Sequence, residues 1–510
     1  MTDCSAGSRP SGSEKGYSGG EKEYWVQWRK PRAGRLGSTQ GFGHYHRVGI
    51  VARCVRNFWE LRSKSAMSST AGLDPLDEVQ ESKMRHECVI IADSPGALVT
   101  LCGVSILERL LRTLQRSAIK RATVLSNTPK LISDALARSS WPSAQLDIRV
   151  CHRSGESVTI EEIINVWPEA TQLLLIVRGD SVFDNRLLRR LLTQDSSAAL
   201  VDSSGPVQFE SLVASAPNTN AGKLCGAALL RYEWTLEQSS SFDRAVRGGL
   251  EKHTITPLDV AQQPFYDPAL RRKLRPFWFP APSASNTKFA ETILLDSVQK
   301  GSLDFPALIH APIEKFLISH LCKTSITPHQ LTIAWIVLAF ATTILFALGH
   351  LVWGIVLALI VGILDGLDGK QARIKVETSK SGKLEHRFDS LFEVAWPSAL
   401  AYHFYTTGQL PTAFIYLSIL LLAEALDGIG KAGVYSTSEK LMNEPGRFDR
   451  FVRLLGGRRN IYVWVLTVAV ILGAPAKALI VMAWWEALTA AIDLPHAVWS
   501  LHLLRRKRSC

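Results

Sequence analysis

The chain has 510 residues and a net charge of +12, and its last 180 residues are strongly apolar. This length allows two or three domains. The positive charge alone would fit nucleic acid, but the basic residues cluster beside apolar segments, which fits an anionic membrane surface better. We therefore expect a membrane lipid as a partner and no nucleic acid.

The first segment, residues 1–84, is rich in glycine, serine and charged residues and shows no sustained hydrophobic period. Such a composition cannot bury enough apolar surface to fold, so it predicts disorder. A start of translation at Met67 or Met84 would instead make the segment a mis-annotated extension. Both interpretations stay open.

Residues 85–255 alternate short buried-strand patterns with amphipathic helices. The strand patterns are ECVIIAD (87–93), RATVLSN (121–127) and QLLLIVRGD (172–180). Leucines at helical spacing in ILERLLRTLQRSAI predict a helix between the first two strands. Strands that alternate with helices predict a Rossmann-like α/β domain with a mainly parallel sheet.

A proline-rich connector, residues 256–308, leads to a helical pattern at 309–327 that has one apolar face. This helix fits either the membrane interface or ordinary packing. Beyond it, we predict an all-α membrane domain over residues 328–504 and a basic tail over 505–510. Its six predicted transmembrane spans are 329–348, 351–371, 390–407, 411–428, 460–473 and 476–500.

Loop charges predict how this membrane domain is oriented. The loops after the second and fourth spans and the tail are rich in lysine and arginine, whereas the alternate loops hold a single lysine. By the positive-inside rule, both termini and the α/β domain lie in the cytosol. The protein is thus predicted to be an integral membrane protein, of the inner membrane if the source is bacterial.

Carboxylates lie on both sides of the basic loop after the second span. Asp365 and Asp368 end that span, and Glu385, Asp389 and Glu393 precede or begin the next one. On helices each set shares one face, and both sets lie at the cytosolic end. Acids at the edge of a membrane span are functional candidates. Together they would form an oxygen-rich pocket suited to Mg²⁺ or Mn²⁺.

This stretch resembles the signature of the CDP-alcohol phosphatidyltransferase family, D-x2-D-G-x2-A-R-x8-G-x3-D-x3-D. The matching residues are Asp365, Asp368, Gly369, Ala372, Arg373 and Gly382. The chain departs from the pattern at its end, where His386 and Ser390 stand at the positions of the last two aspartates. Glu385 with Asp389, or Asp389 with Glu393, keeps the four-residue spacing in a shifted register.

The resemblance implies transfer of a substituted phosphate from a CDP-alcohol donor to an acceptor hydroxyl, with release of CMP. It implies metal binding by the first two aspartates and an acid of the next helix, a catalytic base in that helix, a CDP-binding helix face, and a homodimer. Arg458 and Arg459 resemble a site for an acceptor phosphate, although a positive-inside anchor is an alternative. The residues are Asp365, Asp368, Glu385 and Asp389 for metal; Asp389, Glu385 or Glu393 for the base; and Gly369, Lys370, Ala372, Arg373 and Gly382 for CDP.

The α/β segment resembles a sugar nucleotidyltransferase, as in bifunctional enzymes that make inositol phosphodiesters. That family has a glycine-rich, basic loop after its first strand, whereas this chain has Asp93-Ser94-Pro95-Gly96-Ala97; Asp180 matches a metal-binding aspartate. The acidic loop predicts an inactive or altered domain. Two other function classes stay open, namely a non-catalytic or transporter-like membrane protein and a nucleotidyltransferase with a membrane anchor.

Overall fold

The computed structural model describes residues 87–508, except 140, 142–144, 156, 169–170, 206–208, 302–303, 378–381, 438–450 and 453. Four helical stretches, 382–386, 429–437, 496–497 and 500–508, are described by their backbone alone. The predicted disordered segment therefore lies outside the described residues.

The first part of the chain is an α/β domain. Its strands are β1 (Glu87–Ile91), β2 (Thr100–Leu101), β3 (Val104–Ser105), β4 (Arg121–Ser126), β5 (Asp147–His152), β6 (Leu173–Arg178), β7 (Ser181–Phe183), β8 (Ala198–Asp202), β9 (Asn218–Thr219), β10 (Gly222–Arg231), β11 (Thr256–Asp259), β12 (Tyr266–Asp267), β13 (Arg272–Lys273) and β14 (Trp278–Pro280). Its helices are α1 (Ile106–Arg116), α2 (Pro129–Ala137), α3 (Ile160–Asn165), α4 (Asn185–Leu192), α5 (Glu210–Val213), α6 (Tyr232–Leu236), α7 (Phe242–Glu251) and α8 (Thr287–Ser297). Short 3₁₀ helices cover Pro95–Leu98 and Val260–Gln262.

The main sheet has the order β11-β8-β10-β6-β1-β4-β5, and β9 pairs with β10. The strands of this order are parallel except β10, which runs antiparallel to both β6 and β8. Both faces are covered, because Cys88 and Ile90 of β1 join one apolar cluster whereas Val89 and Ile91 join another. The prediction of a mainly parallel α/β sheet is confirmed.

The second part is helical. Its helices are α9 (Phe305–Leu321), α10 (Pro328–Ala347), α11 (Leu351–Ile374), α12 (Gly382–Thr406), α13 (Ala413–Thr437), α14 (Arg459–Ile471) and α15 (Pro475–Arg508). A helix thus lies at each of the six predicted spans. Among the described residues, three helical segments are long and apolar enough to cross a membrane, namely Pro328–Ala347, Leu351–Ile374 and Pro475–Pro495.

Helix α12 begins earlier than the predicted third span, because its first two turns are polar and do not register as membrane sequence. The second acidic set therefore lies within a helix that extends beyond the apolar segment. Because this extension is helical, the carboxylates of α12 share one helix face, and that face can lie opposite the end of α11.

The two parts share one apolar core. The cluster that contains Leu107 and Leu111 of α1 also contains Ile318 of α9 and Leu367 and Ile374 of α11. All five side chains are fully buried. The C-terminal end of α11 is consequently packed against the α/β domain and is not surrounded by solvent.

Helix α9 has an unusual distribution of polarity. Its buried residues include His310 and Glu314, whereas Leu308 and Phe316 are more than 60% exposed. Asp304 caps the helix by accepting a hydrogen bond from the amide of Ala307 at 3.2 Å. A helix with polar groups inside and apolar groups outside matches a lipid environment better than water.

Candidate active site

Helix α11 carries the first two predicted acids. Its apolar sequence continues to Leu364, and the helix then keeps its geometry through ten more residues to Ile374. It ends in a Schellman motif, in which the amide of Glu377 donates to the Ala372 carbonyl at 2.8 Å and that of Val376 to the Arg373 carbonyl at 3.2 Å. Val376 has the required positive φ of 54°.

Carboxylates from two helices meet at one guanidinium group. Arg459, the first residue of α14, donates from Nη2 to Asp365 Oδ2 at 2.6 Å and from Nη1 to Asp389 Oδ1. Its guanidinium also lies over the ring of Phe392, 5.5 Å from the centroid. The structure therefore brings together one acid of each predicted set and one of the two predicted arginines.

Asp368 lies in a different environment on the same helix. It is 2% exposed, and its Oδ2 accepts hydrogen bonds from Thr332 Oγ1 at 2.8 Å and from Trp335 Nε1 at 3.0 Å. Both donors belong to α10, which begins with a capping box between Thr327 and Gln330. These neutral donors hold the carboxylate in place without adding charge to it.

The remaining acids of α12 are only partly described. Glu393 lies one turn beyond Asp389 and acts electrostatically on the Arg459 guanidinium. Glu385 and Gly382 lie in the backbone-only part of the helix. The acid that pairs with Asp389 therefore stays a prediction, with Glu385 and Glu393 as the alternatives.

The predicted CDP-binding face of α11 contains small and basic residues. A Cβ atom added to Gly369 would lie 3.3 Å from the Arg373 guanidinium, so the glycine leaves room for that group. Arg373 Nε donates to the Val298 carbonyl at 3.1 Å, and Ala372 is half-buried. Lys370 forms a buried ion pair with Glu314 of α9. Its predicted phosphate role would require this pair to open.

The basic pair at the start of α14 is positioned by the preceding loop. Arg458 is the N-cap residue of α14. The amide of Gly457 donates to Thr489 Oγ1 at 2.9 Å, and a Cβ there would overlap Glu486. Tyr462 donates to the buried carboxylate of Glu486. Bonds to α15 thus fix the loop and hold Arg459 over the acids.

The donor set at this site consists of carboxylate oxygens, which hard divalent cations prefer. Within the part of the chain that the structure describes, no three His, Cys, Asp or Glu side chains are arranged to hold a metal. However, Asp365 and Asp389 already share one cationic partner, the Arg459 guanidinium. That convergence of two carboxylates on one positive charge is what a divalent cation also requires.

A second charged cluster lies at the carboxyl edge of the α/β sheet. Arg178 contacts three carboxylates, with distances of 3.2 Å to Asp180, 3.0 Å to Asp243 and 3.5 Å to Asp93. Burial alone would lower the pKa of Arg178, but these three acids outweigh it and raise that pKa. Although the loop after β1 has no basic residue, Arg178 of the neighbouring strand β6 and Arg153, which follows β5, reach Asp93.

Comparison with known proteins identifies the membrane part. The profile of the CDP-alcohol phosphatidyltransferase family matches residues 325–499. This part of the chain is a CDP-alcohol phosphatidyltransferase domain. The match covers the acids on α11 and α12 and the arginines of α14, so the predicted family resemblance is confirmed.

Relatives extend the similarity beyond this phosphatidyltransferase domain. A protein of Rubrobacter xylanophilus described as a bifunctional IPC transferase and DIPP synthase is 23% identical over 446 residues, which cover 81% of this chain and 93% of that protein. The inositol-1-phosphate CTP transferase of T. maritima aligns with 41% of this chain and 96% of its own at 10% identity, with a TM-score of 0.31. HddC from Yersinia pseudotuberculosis in complex with GMP-PN aligns with 41% of this chain and 99% of its own at 14% identity, with a TM-score of 0.30.

The chain is therefore an integral membrane enzyme that transfers a substituted phosphate group and uses a CDP-alcohol. A CDP-alcohol phosphatidyltransferase domain takes a hydroxyl compound as the acceptor, as predicted. The predicted combination of an α/β part and a helical membrane part is confirmed.

Sequence analysis missed several residues around the phosphatidyltransferase site. Thr332 and Trp335 carry polar atoms in an otherwise apolar span, three positions apart, and this spacing was a usable signal. Phe392 gives no such signal, because aromatic residues are common in any membrane helix. Glu314 gives no local signal either, because its partner Lys370 lies 56 residues further along the chain.

Proposed function

We propose that the acids on α11 and α12 carry the transfer reaction. The acceptor hydroxyl oxygen attacks the β-phosphorus of the CDP-alcohol, the bond from phosphorus to the CMP oxygen breaks, and the hydroxyl proton passes to a carboxylate. Asp389 is our first choice for this base, because it faces Asp365 across the site and is one-third exposed. Glu385 and Glu393 are the alternatives on the same helix.

Asp365 and Asp368, with Asp389 or Glu385, would hold Mg²⁺ or Mn²⁺, which the carboxylate chemistry of the site favours. When bound, the cation neutralises charge on the pyrophosphate. Thr332 and Trp335 support this role by fixing one oxygen of Asp368. A ligand held in place before the substrate arrives loses little freedom when it binds.

The basic residues of the site would hold phosphate. Arg373 presents a planar guanidinium at the end of α11, and Gly369 and Ala372 keep that face low enough for the nucleotide. The proposed CDP-binding residues also include Lys370 of α11 and Gly382, the first residue of α12. Arg458 and Arg459 would bind an acceptor phosphate beside the acids. The contact of Arg459 with Asp365 and Asp389 supports this placement at the centre of the site.

For the substrates, we propose a soluble polyol acceptor and a phosphodiester product. This rests on the Rubrobacter xylanophilus relative, whose description names an IPC transferase and a DIPP synthase. Transfer from a lipid donor to make a phospholipid is the second candidate, because apolar side chains of Phe340 and Leu391 border a cleft between α10 and α12. We also propose a homodimer with both termini in the cytosol, in the inner membrane if the source is bacterial.

The test is CMP release by the purified protein. A panel of CDP-alcohols, including a lipid donor, would be combined with polyol, polyol-phosphate and lipid acceptors in the presence of Mg²⁺, Mn²⁺ or EDTA. We expect release that requires the cation and the right pair of substrates. Asp365→Asn and Asp368→Asn should reduce the rate by at least about 100-fold.

Glu233→Gln on α6 is a matched control, since it removes one carboxylate from an exposed position in the α/β domain. It should release CMP at the wild-type rate. Full activity in both aspartate variants would refute the proposed metal site, and cation-independent release would refute the need for a metal.

A further inference from the structure

Three arginines of the α/β domain contact the end of α11. Arg109 donates from Nη1 to the Ile374 carbonyl at 2.7 Å, and Arg112 donates from Nη1 to the Lys375 carbonyl at 2.6 Å. Arg116 donates to the carbonyl of Glu377. We call Arg109, Arg112 and Arg116 the arginine ladder, because they follow one another along a single face of α1.

The ladder completes a helix end that the chain leaves unfinished. An α-helix ends with about four carbonyl groups that have no partner inside the helix. The Schellman motif of α11 uses the carbonyls of Ala372 and Arg373. The ladder takes the carbonyls that follow, and its positive charge also opposes the negative end of the helix dipole. The α/β domain therefore acts as the C-terminal cap of a membrane helix.

Burying the arginine ladder costs free energy, which argues against an incidental contact. Arg109 and Arg112 are 6% and 3% exposed. A buried guanidinium is costly unless its donors find acceptors. Within the α/β domain, Arg112 pairs with the Glu108 carboxylate at 2.5 Å, and Arg109 donates from Nη2 to the Leu101 carbonyl at 3.1 Å. The remaining Nη groups bond across the boundary, to the backbone carbonyls at and just beyond the end of α11 and, from Arg112, to the Glu377 carboxylate at 3.3 Å.

The backbone after α11 is strained. Val376 adopts φ of 54°, a left-handed conformation that β-branched residues rarely adopt. Such conformations persist only where the surrounding structure determines them. Arg112 and Arg116 bind the carbonyls on either side of Val376, those of Lys375 and Glu377, and so fix this conformation.

The end of α11 determines where the catalytic carboxylates lie. Asp368 is six residues before Ile374, or about 9 Å along the helix axis at 1.5 Å per residue. A rotation or fraying of the last turn would therefore be transmitted to Asp368 and Asp365 over two turns. Hydrogen bonds from Thr332 and Trp335 already show that Asp368 has a closely defined position.

We propose that Arg109, Arg112 and Arg116 are positioning residues for the transfer reaction. They hold the last turn of α11 so that its carboxylates keep the geometry that the reaction needs. The α/β domain is then required for transfer in the membrane part, whatever happens at its own charged cluster. This proposal rests on the proposed function, because transfer is its main readout.

The experiment uses the full chain, purified in detergent, and two readouts. Arg109→Ala and Arg112→Ala should lower kcat for CMP release about tenfold or more, since each removes a charge-assisted hydrogen bond at the helix end. KM for the donor should stay within about twofold, because these side chains do not touch the substrate. Arg112→Lys should recover part of kcat, since lysine keeps the charge and one donor.

Arg190→Ala on α4 is the matched control. Arg190 is exposed, and its substitution removes the same charge from the same domain. It should leave kcat unchanged. Hydrogen exchange provides the second readout. The amides of Val376 and Glu377 should exchange faster in the ladder variants, whereas β1 and β6 should keep their protection.

Wild-type kcat in both alanine variants would overturn the proposal, and so would unchanged exchange at Val376 and Glu377. If an alanine variant fails to fold, as loss of protection in β1 would reveal, the decision rests on Arg112→Lys. That variant should fold and exchange faster at Glu377, and wild-type values there would count against the ladder. If wild-type protein releases no CMP, the proposed function fails, while hydrogen exchange still decides whether the ladder caps α11.

Discussion

Arg459 forms ion pairs with both Asp365 and Asp389. Two carboxylates this close would repel each other without a positive partner. The same arginine is proposed to bind an acceptor phosphate, so it would exchange carboxylate partners for phosphate during the reaction. At the scale of single residues, the charges of the site are therefore those of one guanidinium, two carboxylates and the proposed divalent cation.

We predict that Arg459→Gln makes the protein more dependent on the metal. Removing one partner of a buried ion pair leaves uncompensated charge and costs about 3 kcal/mol of stability. In EDTA, the melting temperature should fall below that of the wild type. Addition of Mg²⁺ should raise it more in the variant than in the wild type, because the cation replaces the lost charge. An equal shift in both proteins would contradict the shared site.

A second prediction separates the candidate bases of α12. Asp389→Asn should lower the rate of CMP release by at least about 100-fold, the usual contribution of a general base. Glu393→Gln, one turn further on the same helix, should lower it by less than about tenfold. Steady-state rates at saturating substrate would measure both. A larger loss of rate in Glu393→Gln than in Asp389→Asn would identify Glu393 as the base.

At the scale of elements, α11 depends on its surroundings at both faces. Gly366 approaches α9 so closely that a Cβ would lie 2.5 Å from Glu314 Oε1. Gly362, one turn earlier, approaches His310 in the same way, at 3.2 Å. These small residues allow α9 to cross α11 at short distance, as small residues do between membrane helices. The buried pair of Lys370 and Glu314 then lies at the crossing.

We predict that Val376→Gly stabilises the protein. Glycine adopts a positive φ without the steric cost of about 1–2 kcal/mol that other residues bear, although it gains entropy in the unfolded chain. The net gain should be about 1 kcal/mol, visible as a higher melting temperature. Val376→Ala, which removes the β-branch but keeps a Cβ, should have a smaller effect. A lower melting temperature in Val376→Gly would show that the side chain itself stabilises this turn.

Sequence patterns predicted the elements better than the contacts between them. The strand β6 is an apolar run up to its last residue and β1 is one after its first, and buried parallel strands have this pattern. The leucines of α1 predicted the helix, but its arginines share a face whose partners are 261 or more residues away. No local pattern identifies a partner at that distance. Likewise, Arg459 meets Asp365 across 94 residues.

At the scale of the whole molecule, the α/β and membrane parts form one unit through a common core and the arginine ladder. The charged cluster around Arg178 fills the sheet edge where nucleotides bind in open α/β folds. Three carboxylates are engaged by that arginine and are not free to bind a metal. These ion pairs support the proposal that the α/β part positions α11 and does not carry out its own nucleotide chemistry.

We predict that the full chain does not activate its own substrate. Asp365→Asn protein, which should be silent in transfer, would be incubated with CTP, Mg²⁺ and sugar or inositol phosphates. Pyrophosphate release should not exceed that of a sample without protein, because Arg178 forms ion pairs with Asp93, Asp180 and Asp243. An active nucleotidyltransferase in parallel would verify the assay. Release above background would show that the charged cluster rearranges and works.

The reversed polarity of α9 has a practical consequence for handling the protein. His310 and Glu314 face inward, while Leu308, Ile313 and Phe316 face outward. A fragment that contains the α/β domain and α9 without the membrane spans would still carry this exposed apolar surface. It should adhere to vesicles through high-salt washes, since apolar contact is not weakened by salt. Purification without detergent would therefore require α9 to be removed or its outward face made polar.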